Sequence, residues 1–211
     1  MNIKGMITMA FKDSRTRLTY PAPGEWQGKN LCQGKISDYK PYNFVDGEGV
    51  RCSLYVSGCP FACPGCYNKK IQSFHVGVPY TAQLQDQILE DLSASYCQGL
   101  TLLGGEPMLS TPILIPLCQA LRQRFGREKD IWSWTGYTWE ELMQETEDKK
   151  QLLSYIDVLI DGRYDQRQRD LSLRFRGSRN QRIIDVAKSL VSGTLVLWSD
   201  QGDAEEIAQA T

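Results

Sequence analysis

Residues 52–66 read CSLYVSGCPFACPGC. The first six form a short apolar run bounded by a glycine, the pattern of a buried strand. Cys59, Cys63 and Cys66 follow at once with the spacing CxxxCxxC. Similar apolar runs recur at residues 100–103 (LTLL), 131–134 (IWSW), 156–160 (IDVLI) and 182–186 (RIIDV). Between them lie helical patterns. Residues 81–96 place Leu84, Ile88 and Leu92 at i, i+4 spacing on one face. Residues 115–125 form a second, with Pro112 and Pro116 leaving its start open. A TxxE capping box at Thr138 and Glu141 opens a short third helix. Strand alternating with helix predicts an α/β fold of parallel strands and right-handed crossovers, an open sheet or partial (open) barrel with outer helices. Ligands of such folds sit at the C-terminal ends of strands, where the three cysteines fall. Residues 195–198 offer a further edge strand.

A chain of 211 residues suits one domain. Residues 1–40 mix charges, glycines and prolines with little period and read as an N-terminal extension of unassigned role. Residues 41–190 form the working domain and 191–211 a C-terminal tail. With 41% hydrophobic and 23% charged residues, the chain can bury a continuous core. A formal charge of −1 argues against a nucleic-acid partner. Locally, seven arginines and only two acids, Asp165 and Asp170, lie between Arg163 and Arg182. That segment suits either an anionic ligand or partner, or a solvated loop face. No apolar run approaches the roughly 20 residues of a spanning helix, and the stretch after Lys4 breaks at Lys12 and Asp13, so neither membrane anchor nor signal peptide is expected. Seven cysteines, three of them within eight positions, fit a metal site in a reducing compartment better than a disulfide framework. A cytoplasmic location follows.

A cubane cluster has four irons, so three closely spaced thiolates leave one iron open to another ligand. An open position is how a metal site does chemistry. The competing reading is a zinc knot with Cys52, or His75, the only histidine, as fourth ligand. Such sites usually come as two CxxC-like pairs, and no second pair exists. Cys52 and Cys118 read as small buried hydrophobes; Cys32 and Cys97 carry no signal. The second element is Gly104-Gly105-Glu106-Pro107, at the end of the LTLL strand. Paired glycines let a ligand approach the backbone, and Glu106 can accept hydrogen bonds from an ammonium group. A simple tight turn would use the same residues.

The three-cysteine loop and the GGE strand end together resemble the radical S-adenosylmethionine (SAM) superfamily. Within it, CPGCYN resembles the activating proteins of anaerobic ribonucleoside-triphosphate reductase. So do VDGEGVRCSLYVSGC (45–59), KDIWSWTGYTWEEL (129–142), DVLIDGRY (157–164) and RFRGSRNQR (174–182). The likeness spans residues 42–186 in the family's order; the first 40 and last 25 residues have no counterpart. Two departures stand out: Gly65 sits where many superfamily members carry an aromatic residue, with Tyr67 after the third cysteine instead, and Glu48 replaces a family proline.

The resemblance implies a [4Fe-4S] cluster on Cys59, Cys63 and Cys66, and SAM chelating the open iron. Gly65, Cys66 and Tyr67 would lie in the loop around SAM, and Gly104, Gly105 and Glu106 would meet it from the strand end. Ser133, Thr135, Arg163, Arg176 and Arg182 are either ribose, carboxylate or partner contacts or ordinary surface residues. No catalytic side chain is implied beyond cluster and SAM. The implied reaction is reductive cleavage of SAM to a 5′-deoxyadenosyl radical, which makes a glycyl radical on the large reductase subunit, with an electron donor such as flavodoxin. Competing readings are an activase of another glycyl radical enzyme, such as pyruvate formate-lyase, and a small carboxydeazaguanine-type synthase. WTGY and RGSxNQ argue against the first.

Overall fold

The structure is a computed structural model describing residues 20–199. The apolar stretch after Lys4 and the last part of the expected tail, residues 200–211, lie outside them. The chain opens with a single helical turn, α1 (Gly28–Leu31), and β1 (Lys35–Asn43). After β2 (Val50–Val56) come β3 (Val78–Pro79), α2 (Ala82–Leu92), β4 (Cys97–Gly104) and α3 (Thr111–Phe125). Then follow β5 (Asp130–Trp134), α4 (Trp139–Leu142), α5 (Glu147–Tyr155), β6 (Val158–Asp161), β7 (Arg182–Asp185) and α6 (Val186–Ser192).

The seven strands among the described residues share one open sheet in the order β3-β1-β2-β4-β5-β6-β7. The central pairs β2–β4, β4–β5 and β5–β6 are parallel, as the strand-helix alternation predicts. The flanks correct the expectation of parallel strands throughout. β7 runs antiparallel to β6, because the connection over residues 162–181 holds only a three-residue 3-10 turn and no crossover helix. β1 pairs antiparallel with both β2 and β3. It escapes a pattern search because only Ile36 of its nine residues is buried. Residues 195–198 do lie along β7, through Trp198 N–H to Ile183 O at 2.9 Å and a bridge between Ile184 and Leu197.

Local signals account for the helix ends. Thr81 caps α2 by accepting from Leu84 N–H, and the helix stops at Leu92, short of the expected Tyr96. The Thr138–Glu141 capping box is present at α4. α3 starts earlier than expected, with Pro112 in its first turn and Pro116 inside.

Alternation then gives the sheet two unlike faces. Cys52, Leu54, Leu100, Leu102, Ile131 and Leu159 point to the helix side and are fully buried against α2, α3 and α5. Arg51, Ser53, Thr101 and Trp132, one residue out of step, point to the other face. Among the described residues no helix is long and apolar enough to cross a membrane.

Candidate functional site

The strand ends β2, β4, β5 and β6 open onto a cavity of about 430 Å³ lined by Cys59, Cys63 and Cys66. The cysteine loop leaves β2 and is held from several sides. Cys59 N–H donates to Gln72 O at 2.8 Å, Cys66 N–H to Cys63 O at 3.1 Å, and the Asn68 amide to Gly104 O at 3.1 Å. Phe61, between the first two cysteines, is 1% exposed. Its ring meets the edges of Trp26 and Tyr137, each with centroids 5.0 Å apart, and the Arg163 guanidinium stacks on it at 4.5 Å. Gly136 makes room: a Cβ there would sit 2.4 Å from the Phe61 ring.

The glycine turn after β4 packs directly onto the start of this loop. Gly105 N–H donates to Val56 O at 2.8 Å and Glu106 N–H to Gly58 O at 2.7 Å. A Cβ on Gly105 would lie 2.3 Å from Gly58 O, so the glycine is required by backbone packing whatever the ligand. The Glu106 side chain turns inward, accepting from Thr135 Oγ1 at 2.7 Å, Gly136 N–H at 2.8 Å and Met108 N–H at 3.0 Å. Burial pushes its carboxyl up to about 7, against the pull of those three donors. Burial likewise raises the Cys59 thiol, with the Glu106 charge adding to it, and raises Cys63 to about 11, with Cys66 adding to it. The Cys59 and Cys63 thiolates are therefore disfavoured without a cation, and their binding to a metal cluster would release protons.

Of the expected contacts, Cys66, Gly104, Gly105 and Glu106 line the cavity with the other two cysteines, while Gly65 and Tyr67 do not; the Tyr67 side chain is fully exposed. Thr135, Arg163 and Arg176 also line it. Ser133 is buried with its hydroxyl toward Trp134 O, and Arg182 pairs with Asp161 and Glu140 outside it. Cys52 is sealed in the helix-side core, its Sγ 3.7 Å from that of Cys97, and His75 is exposed; neither lines the cavity. Among the described residues no three His, Cys, Asp or Glu side chains converge to hold a single metal ion.

The arginine-rich segment is largely compensated. Glu141 holds Arg163 with contacts of 2.7 and 2.9 Å, Asp165 holds Arg167 and Asp170 holds Arg179. Asp46, Trp134 and Phe175 line the cavity without having been singled out. Asp46 accepts from the Tyr55 hydroxyl and from Asn43 Nδ2, and its carbonyl accepts from Thr101 Oγ1 at 2.7 Å. It was legible only as part of the VDGEG motif. Phe175 arrives from the long β6–β7 connection in a left-handed conformation (φ 58°) and was legible only as part of RFRGSRNQR.

Known proteins bear on this arrangement at two levels. The family described as "4Fe-4S single cluster domain" matches residues 45–184. The anaerobic ribonucleoside-triphosphate reductase-activating protein of Pasteurella multocida is 48% identical over 147 residues, 68% of this chain and 92% of that protein. The protein of the same name from Escherichia coli K12 is 42% identical over 147 residues, 68% and 93% of the two chains. That of Enterobacteria phage T4 is 40% identical over 145 residues, 68% and 88%. The chain belongs to this family of reductase-activating proteins.

Proposed function

We propose that the chain is a radical SAM oxidoreductase whose residues 41–190 form an open partial barrel and that activates anaerobic (class III) ribonucleoside-triphosphate reductase. One observation carries the reading: three cysteines at CxxxCxxC spacing line one cavity at the C-terminal ends of parallel strands, beside the GGE turn. Cys59, Cys63 and Cys66 would hold one [4Fe-4S] cluster. The residues fit that group, since three thiols share a cavity whose walls include Gly104, Gly105, Gly136, Gly162 and Gly177, leaving space for the cluster and for SAM. A cubane takes each thiolate on a different iron, so the sulfurs need not converge on one point as they would for zinc.

Held by Cys59, Cys63 and Cys66, the cluster would supply the electron for reductive cleavage of SAM, the chemistry by which a glycyl radical would be made on the large reductase subunit. The protein's own part is placement. Asn68 and the Gly105 and Glu106 amides fix the cysteine loop against β4. Glu106 locks the β4 turn to Thr135 and Gly136 at the end of β5, so the two strand ends that face SAM move as one unit. Arg163 shields Phe61 while Glu141 neutralises it. The electron donor is of the flavodoxin type, the location cytoplasmic, and neither nucleic acid nor membrane is a partner. Anaerobic incubation with reductant, SAM and the large reductase subunit should give a glycyl radical signal by electron paramagnetic resonance. No signal from protein carrying an intact cluster would rule the activity out.

A further inference from the structure

The segment ahead of β1 lies before residue 45, where the family match begins, yet it is built into the loop that carries the cysteines. Trp26 is partly buried and sets its ring edge-on against Phe61, at 5.0 Å and 72°. Phe61 sits two residues after Cys59 and two before Cys63. The backbone of the segment is tied down by a buried ion pair from α5 and its approach. Lys149, with 0% of its side chain exposed, donates to Trp26 O at 2.6 Å and to Glu145 Oε2 at 2.9 Å, and Gly24 N–H donates to the same carboxylate oxygen at 3.0 Å. Ahead of this, Tyr20 lies over Arg163 at 4.3 Å, the guanidinium that covers another part of the Phe61 ring. Behind it, α1 packs on α3. A buried lysine aimed at a backbone carbonyl is a costly way to hold a mere tail. What it secures is an aromatic wall on one flank of the cysteine loop.

We infer that residues 24–31 are part of the cluster site, with Trp26 a positioning residue that clamps Phe61 and keeps water from that flank of the cluster. The inference rests on the reading that Cys59, Cys63 and Cys66 hold a [4Fe-4S] cluster. Solvent access stabilises the more highly charged reduced cluster and opens a path for its loss, so exposure registers in both potential and lifetime. The full chain is reconstituted anaerobically with iron and sulfide, as parent and as Trp26→Ala, and three quantities are read: iron per chain, midpoint potential by redox titration, and half-life of cluster absorbance in air. Trp26→Ala should raise the potential and shorten the air half-life several-fold, whereas Trp26→Phe, which keeps an aromatic edge on Phe61, should stay close to the parent. Leu92→Ala, a core truncation on α2, should lower Tm without moving either cluster readout. Trp26→Leu asks the same question if Trp26→Ala fails to fold. A parent-like potential and half-life in folded Trp26→Ala or Trp26→Leu, or an equal shift in Leu92→Ala, would overturn the clamp. A parent that binds no cubane would instead overturn the reading of the cysteines.

Discussion

The two faces of the central sheet are made by the same strands and obey different rules. On the helix side, Leu54, Leu100, Leu102, Ile131 and Leu159 are fully buried aliphatic side chains under helices with matching apolar stripes. On the other side, β2 and β4 contribute polar groups and β5 and β6 contribute a small apolar cluster. There, Arg51 reaches Thr101, Leu100 O and Asp130, while Trp132 packs against Phe175 and Trp198. The first face is held by area removed from water. The second is held by paired charges and by loops from distant parts of the chain, and it leads to the cavity. Stability and site preparation are thus divided between alternate residues of the same strands.

The largest expected effect comes from breaking the polar face. Arg51 is fully buried, with Nε donating to Thr101 Oγ1 at 2.7 Å and an Nη to Asp130 at 2.5 Å. Arg51→Met should cost about 3–5 kcal/mol, because Asp130 and Thr101 lose their partner while the methionine offers none. It should also weaken SAM binding, since the Asp46–Glu48 loop loses the Arg51 contact to Glu48 O. Urea unfolding and SAM titration on one preparation check both.

On the aliphatic face, Leu102→Ala should cost about 2–5 kcal/mol by opening a cavity in the core. SAM affinity of the folded fraction should remain that of the parent. A loss of affinity comparable to that of Arg51→Met would erase the division between the faces.

A smaller effect separates them by pH. Glu106 has a folded-state value of about 7, raised from an ordinary carboxylate value of 4.5 by burial. Its proton is bound more tightly in the folded state, so the apoprotein should lose stability as pH rises from about 4.5 to about 7 and gain it on the way down. Glu106→Gln should remove that slope, measured as the difference in urea midpoint between the two proteins across the window. An unchanged slope would mean that Glu106 is ionised throughout.

The difference between the faces also explains what the sequence disclosed. The helix side was legible because its apolar residues recur at helical spacing, as with Leu84, Ile88 and Leu92 on α2, or form a short apolar run, as LTLL does on β4. The cysteines, the glycine turn and the α4 capping box were legible because local chemistry dictates local spacing. β1 was missed because a flanking strand with one buried residue has no apolar alternation, and α5 because EDKKQLLSY reads as polar. Trp26, Phe175 and Lys149 were missed for another reason. Each acts at a distance in the chain, Trp26 on Phe61, Phe175 on Trp132, and Lys149 on Trp26, and no short window contains both partners. The same holds for the arginine-rich segment, where Glu140, Glu141 and Asp161, which lie outside it, supply part of the compensation that its own two acids could not.

Gly105 shows how one residue can satisfy both a local and a distant demand. Its lack of a side chain suits ligand approach, but the 2.3 Å clearance to Gly58 O means that any larger residue displaces the cysteine loop first. Gly105→Ala is therefore expected to lower iron content together with SAM binding.

The most direct measurement is the iron content of anaerobically reconstituted protein across the cysteine series. The parent should hold about four irons per chain. Cys59→Ala, Cys63→Ala and Cys66→Ala should each lose the cluster, while Cys32→Ala, Cys97→Ala and Cys118→Ala keep it. Stoichiometric zinc without iron in the parent, or full iron in any of the first three variants, would contradict the account.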